Sequence, residues 1–194
     1  MVKKKNGEWR PCGDYKKLNS ITEPNRYPIP HMHDFFHWLE DSKIFSMLDL
    51  RTAYHKILVA SPDVPKTAIT TPFGMFEFIY ITFGLRNAGQ TYQCLMDYIL
   101  CDLNFAYAYL DDILLASKDL EQHLKVVLER LKNYEIVINP SKCNSGKSKV
   151  TFLGFRVNKN GIRPPSEKVK VITECKLPER ACDLKRFLGM INFF

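Results

Sequence analysis

Two adjacent carboxylates, Asp111 and Asp112, interrupt an otherwise apolar run from Phe105 to Ala116, FAYAYLDDILLA. Each ion resists leaving water and the two repel one another, so the pair costs free energy unless something compensates. Acids that merely serve a turn keep polar company. Here Tyr107, Tyr109 and Leu110 precede the pair, and Ile113, Leu114 and Leu115 follow it. A tight β-hairpin with both acids at its tip resolves the geometry, and a divalent cation resolves the charge. Mg²⁺ takes hard oxygen ligands, usually one or two carboxylates together with waters and phosphate oxygens. Asp49 ends a second apolar segment, Ile44-Phe45-Ser46-Met47-Leu48-Asp49, and supplies a third carboxylate if the two strands lie side by side. Three carboxylates on neighbouring strand ends suit a two-metal phosphoryl-transfer centre, whose ions stand about 3.5–4 Å apart.

The elements that would position these acids are written in the hydrophobic pattern. Residues 44–49 read as a strand into the core with Asp49 at its mouth. Apolar side chains at 88, 92, 95, 96, 99, 100 and 103 form a 3.6-residue stripe, predicting a helix over 88–103. Asn87 is its expected N-cap and Gln90 the reciprocal cap. A second helix is predicted over 119–133, with Leu120, Leu124, Val127, Leu128 and Leu131 on one face. Residues 66–82 read as two strands around Pro72-Phe73-Gly74. Residues 149–157 alternate as one strand that turns at Asn160-Gly161. Lys3-Lys4-Lys5-Asn6-Gly7 reads as a hairpin tip, because Asn-Gly accepts positive φ. A helix over 31–41 would bury Phe35, Phe36 and Leu39, and two short helices fall near 166–175 and 180–192.

Composition agrees with a folded chain. Of 194 residues, 45% are hydrophobic and 25% charged, which excludes disordered, collagen-like and coiled-coil classes. Twenty-eight Lys and Arg against 21 Asp and Glu leave +7, which favours a polyanionic partner. The basic N-terminal run is followed by polar residues rather than a signal-peptide core, and no stretch is apolar enough to span a membrane. The expectation is an intracellular chain that is neither secreted nor membrane-bound. Its six cysteines, in no C-x-x-C pair, read as reduced thiols used for packing.

Tyr109-Leu110-Asp111-Asp112 within an apolar hairpin resembles the signature of reverse transcriptases. The remaining motifs follow in order: Trp9 to Tyr15 (WRPCGDY) with Leu18-Asn19, Tyr27-Pro28-Ile29-Pro30, Phe45 to Leu50 (FSMLDL) and Ala53-Tyr54-His55. After them come Lys66-Thr67-Ala68, Phe83-Gly84-Leu85 with Asn87-Ala88, and Asn139-Pro140 with Lys142-Cys143. Phe152-Leu153-Gly154 and Phe187-Leu188-Gly189 complete the series, which is most similar to gypsy-type Pol polyproteins of LTR retrotransposons.

The likeness covers essentially the whole chain. It implies an α+β right-hand polymerase, truncated at both ends. The implied division is partial fingers over 1–23, ferredoxin-like palm over 24–56, fingers over 57–87, palm over 88–158, and the start of a thumb or connection over 159–194. The implied activity is RNA-directed and DNA-directed DNA synthesis, a nucleotidyl transfer to a primer 3′-hydroxyl using two Mg²⁺ ions, with Mn²⁺ as a substitute. Implied partners are an RNA or DNA template, a nucleic-acid primer, dNTPs, and the rest of the Pol polyprotein with its RNase H, integrase and protease. The implied location is the cytoplasm, a virus-like particle or the nucleus.

The resemblance also assigns residues. Asp49 and Asp111 would hold the metals, with Asp112 the less direct third carboxylate. Lys3 and Arg10 would meet the triphosphate, Arg as a bidentate grip and Lys as a mobile point charge. Arg51, Thr52 and Ala53 would offer backbone N–H groups to phosphates. Tyr54 would exclude a 2′-hydroxyl, and Phe83 and Gly84 would line the pocket behind the incoming base. Gln90, Tyr109 and Leu110 would face primer and template. Leu153, Gly154 and Phe155 would form a primer-gripping hairpin, where Gly admits a close nucleic-acid backbone. Thr82, Gly89, Lys56 and Tyr92 depart from the family's usual Pro, Pro or Ala, Gln and Phe.

Two other readings compete. His31, His33 and His37 beside Asp34 invite a zinc hydrolase, but H-x-H-x-x-x-H matches no closed zinc pattern. A catalytically inactive nucleic-acid-binding fragment of a retroelement polyprotein would carry the same charge and aromatics. The acids Asp49, Asp111 and Asp112 speak against it, because a pure binder gains nothing from three carboxylates facing phosphates.

Overall fold

The run around Asp111 and Asp112 is apolar without alternation because the sheet it enters is covered on both faces. The computed structural model describes every residue except 1, 4–6, 8, 11, 32, 33, 36–38, 40, 41, 52, 119, 176, 193 and 194. In chain order its elements begin with strands β1 (Val2–Lys3) and β2 (Trp9–Arg10), helix α1 (Lys16–Ile21) and strand β3 (Ile44–Arg51). Strands β4 (Ile69–Thr71) and β5 (Gly74–Phe76), helix α2 (Ala88–Ile99), and strands β6 (Ala106–Tyr109) and β7 (Asp112–Ser117) come next. Helix α3 (Leu120–Asn133) and strands β8 (Val137–Ile138), β9 (Asn144–Lys147), β10 (Lys149–Phe152), β11 (Phe155–Asn158) and β12 (Gly161–Arg163) follow, before helices α4 (Ser166–Thr173) and α5 (Ala181–Asn192).

The central antiparallel sheet has the order β6-β7-β3-β8, with β9 also paired to β3. Successive strand residues point to opposite faces. Ile113 and Leu115 therefore join Leu48, Leu50, Ala106 and Ala108 under α2 and α3, against Tyr92, Met96, Ile99, Val127 and Leu131. Leu114 and Ala116 join Phe45 on the other face, against Phe35, Leu39 and the β10–β11 residues Val150, Phe152 and Val157. Burying each large aliphatic side chain is worth about 1.5–3 kcal/mol, so the register of β7 is strongly fixed. A slip of one residue would send Ile113 to the wrong face and move Asp112 with it. The same parity carries Asp49 and Asp112 to the face shared with β10–β12.

Departures from the pattern reading have local causes. β3 continues two residues past Asp49, because Leu50 re-enters the helix-covered core and its N–H donates to the Asp111 carbonyl at 2.9 Å. The single strand expected over 149–157 is two strands, broken at Leu153 (φ +49°) and Gly154 (φ +79°). Apolar positions 150 and 152 change phase to 155 and 157 there, the mark of a two-residue turn. Within 66–82 only the short β4–β5 hairpin forms, preceded by a 3₁₀ turn over Ser61–Thr67 that contains Pro65.

The helix expected over 88–103 ends at Ile99, although Leu100 and Leu103 still pack in the core. Asn87 stands at its N-cap position without capping it. Its side chain instead donates to the Glu23 carbonyl at 2.8 Å and accepts from the Asn25 N–H at 2.9 Å, so the reciprocal cap to Gln90 does not form. Five of the six free cysteines are exposed, leaving a packing role only for half-buried Cys143. Of the helix expected over 31–41, Phe35 and Leu39 are buried, while Phe36, His33 and His37 lie outside the described residues. The Lys4-Lys5-Asn6 tip also lies outside them, between strands β1 and β2 that do pair.

Candidate active site

Asp49 and Asp112 are direct partners across β3 and β7. Because Leu50 and Asp111 form the hydrogen-bonded pair, Asp49 and Asp112 form the adjacent non-hydrogen-bonded one. Side chains approach most closely at such a pair, with Cβ atoms about 4.5–5.5 Å apart. Asp111 lies beside them in the two-residue turn between β6 and β7. The crowding leaves an electrostatic mark. Burial first, then the charges of Asp111 and Asp49, push the Asp112 carboxyl from 3.8 up to about 6, with Lys142 pulling the other way.

The turn that presents Asp111 needs support, because Leu110 sits in the left-handed region at φ +51°. For a residue with a Cβ that conformation costs about 1–2 kcal/mol. The fully buried Gln93 of α2 supplies the support. Its Oε1 accepts from the Leu110 N–H at 2.8 Å, and its Nε2 donates to the Ala108 carbonyl at 2.9 Å. The same Nε2 reaches Asp97 Oδ1 at 2.8 Å, and Asp97 Oδ2 accepts from the Tyr27 hydroxyl at 2.7 Å. That bond, with burial, pushes the Tyr27 phenol up to about 12. None of Gln93, Asp97 and Tyr27 stood out in the sequence as a site residue. The available signal was Gln93 with Asp97, one helical turn apart beside an apolar stripe.

On its other side Asp49 is held by the loop from Asn139 to Cys143. Its carbonyl accepts from the Asn139 N–H at 2.7 Å, and its N–H donates to Cys143 Sγ at 3.4 Å. Lys142 Nζ lies 3.0 Å from Asp49 Oδ2 and 3.3 Å from Oδ1. The sequence motif contains Asn139, Lys142 and Cys143 but gives no hint that they enclose this acid. Carboxylate oxygens are the donors a hard divalent cation takes. Among the described residues, no three His, Cys, Asp or Glu side chains already stand together at metal-ligating spacing.

With this geometry in view, comparison with known proteins is decisive. The family described as reverse transcriptase (RNA-dependent DNA polymerase) matches residues 2–157. The chain belongs to the reverse transcriptase family. It is 36% identical over 198 aligned residues to the Transposon Tf2-3 polyprotein of Schizosaccharomyces pombe, covering 100% of this chain and 15% of that protein. It is 37% identical to the Retrovirus-related Pol polyprotein from transposon opus of Drosophila melanogaster, covering 98% and 20%. The chain spans a fifth or less of the length of these relatives. A foamy viral protease-reverse transcriptase in complex with double-stranded DNA shares its fold with a TM-score of 0.85 at 24% identity, covering 99% of this chain and 41% of that one. The same viral protein bound to an RNA/DNA hybrid gives 0.77 at 22%, covering 93% and 25%. Reverse transcriptases generally use divalent metal ions.

The other expected site residues of this reverse transcriptase domain fall into groups. Tyr54, in the 3₁₀ turn directly after β3, is wedged between Phe83, at 5.0 Å between ring centroids, and Tyr92, at 5.3 Å. Arg51 ends β3 and is exposed; Thr52 lies outside the described residues, and Ala53 begins the turn. Gly84 has φ +98°, and a Cβ there would stand 3.1 Å from the Gly13 carbonyl, so the Phe83-Gly84 turn packs tightly on the N-terminal segment. Asn19 Nδ2 reinforces that contact by donating to the Gly84 carbonyl at 2.8 Å.

Gln90 is half-buried in the first turn of α2, next to Gly89, where an added Cβ would lie 3.6 Å from Leu110. Tyr109 pairs with Asp112. Leu153, Gly154 and Phe155 form the β10–β11 turn, and Leu153, like Tyr107 and Tyr109, packs against the core of the acids' face. Lys3 and Arg10 lie on the separate β1–β2 sheet, and their side chains are outside the description. Of the histidine motif, His33 and His37 lie outside the described residues. Asp34 accepts from the His31 N–H at 3.0 Å, closing a turn.

Proposed function

We propose that this chain is the polymerase core of an LTR-retrotransposon Pol polyprotein. It would synthesise DNA on an RNA or DNA template, with Asp49, Asp111 and Asp112 holding two Mg²⁺ ions, for which Mn²⁺ can substitute. The observation that carries this reading is the convergence of three acids at one end of β3 and the β6–β7 hairpin, crowded enough to hold a proton on Asp112 up to pH about 6. Such a set fits a hard cation by its oxygen donors and by the negative charge left to neutralise. Bound ions would lower the pKa of the primer 3′-hydroxyl and neutralise charge on the α-phosphate and leaving pyrophosphate.

The chain's own contribution is positioning. The β7 register and the Gln93 brace fix the acids before substrate arrives, as catalysis by orientation requires. Tyr54, held by two rings, would close the space beneath the sugar and exclude ribonucleotides. Lys3, Arg10 and the backbone of Arg51, Thr52 and Ala53 would meet the triphosphate, with Phe83 and Gly84 behind the base. Gln90, Tyr109, Leu110 and the Leu153-Gly154-Phe155 turn would line the primer and template. In this reading 1–23 and 57–87 are fingers, 24–56 and 88–158 palm, and 159–194 the start of a thumb or connection. The rest of the polyprotein would supply RNase H, integrase and protease.

The test is primer extension on a primed template with dNTPs and Mg²⁺. Asp111→Asn is expected to cut extension by at least about 100-fold while leaving duplex affinity intact. Equal extension by the variant would exclude the polymerase reading, and with retained duplex binding would leave a nucleic-acid binder. In the same assay Tyr54→Ala is expected to increase rNTP incorporation; unchanged selectivity would remove Tyr54 from that role.

A further inference from the structure

Metal loading meets an obstacle in the environment of Asp49. Its backbone is tied on one edge through Asn139 and Cys143, and Leu50 beside it is tied to the hairpin on the other. The backbone that carries the acid is therefore fixed. The Asp49 side chain is only 16% exposed, and both of its oxygens lie within 3.3 Å of an ammonium group. That ammonium belongs to Lys142, whose side chain is 59% exposed and reaches in from solvent on a flexible stem. Of the two partners, only the lysine can withdraw cheaply.

We infer that Lys142 is a stand-in cation: it occupies Asp49 while the site is metal-free, and an incoming divalent ion must displace it. The inference rests on the proposed role of Asp49 as a metal ligand. The exchange is a ligand substitution in which a divalent cation replaces a single positive charge and no bond of the chain breaks. It accounts for two features at once. The three acids converge on one sheet end, yet no three acid side chains stand at ligating spacing among the described residues. Lys142 would thereby set the metal concentration at which the site fills.

Mn²⁺ binding to the 194-residue chain without nucleic acid, followed by loss of the free-ion electron paramagnetic resonance signal, tests this directly. Lys142→Gln is expected to bind Mn²⁺ about three- to fivefold more tightly, the upper part of the range for releasing a partly exposed ion pair. Lys147→Gln, which removes an exposed charge from neighbouring β9, is expected to stay within about twofold of the parent because that charge is screened. Unchanged or weaker binding by Lys142→Gln, or equal tightening by both variants, would overturn the inference. Asp49→Asn separates it from its premise. If that variant binds Mn²⁺ as well as the parent, or if the parent binds none, the role of Asp49 fails and the stand-in role with it.

Discussion

Asp112 carries a charge at neutral pH that its surroundings resist, and this sets a sign for pH dependence. Its carboxyl is at about 6 in the folded chain against an ordinary 3.8, so between those values the folded state binds more protons than the unfolded one. Stability contributed by this group therefore falls as pH rises from about 4 to about 6 and is level above. The stability of the parent relative to Asp112→Asn, from urea midpoints in the absence of metal, is expected to decline across that window. A difference that does not change with pH would mean the acids are not crowded. Tyr92 offers a second residue-scale test. Its hydroxyl is fully buried with no partner among the described residues, at a position where the family usually has Phe. Tyr92→Phe keeps the ring against Tyr54 and removes the unpaired group, so it is expected to stabilise the chain by about 1–3 kcal/mol, read as a higher Tm.

At the scale of elements, the site is a hairpin leaning on a helix. The β6–β7 turn holds a left-handed Leu110 only because α2 presents Gln93 to it. Gln93→Leu keeps the volume but leaves the Leu110 N–H and the Ala108 carbonyl unpaired, which is expected to cost about 1–3 kcal/mol for each group that stays buried. Because the change loosens the turn rather than any substrate contact, primer extension should fall in kcat more than in KM for dNTP. Full kcat in this variant would detach the brace from function. The helix itself was legible, since its apolar stripe is periodic. Gln93 was not, because a buried polar side chain looks like an interruption of the pattern until its partners are known. Asn87 erred in the opposite sense, being an N-cap residue by type and place whose side chain is captured by residues 23 and 25.

At the scale of the molecule, a sheet covered on both faces explains what the sequence could and could not reveal. It makes the run through Asp111 and Asp112 conspicuous, because acids within a two-sided apolar strand need a reason. Parity then brings alongside it Asp49, the acid that closes the apolar segment 44–49. The short strands β8 and β9 and the loop between them carry little periodicity, so the enclosure of Asp49 by Asn139, Lys142 and Cys143 was invisible. The break at Leu153-Gly154 was visible only as a phase change in alternation. The central claim is that acids distant in the chain meet to hold paired divalent ions. It is tested most directly by anomalous scattering from crystals of the chain grown with Mn²⁺, a primed duplex and an unreactive dNTP analogue. The expected result is two Mn²⁺ peaks at Asp49 and Asp111 with Asp112 adjacent, and Lys142 withdrawn from Asp49. Mn²⁺ bound elsewhere, with Asp49 still on Lys142, would contradict it.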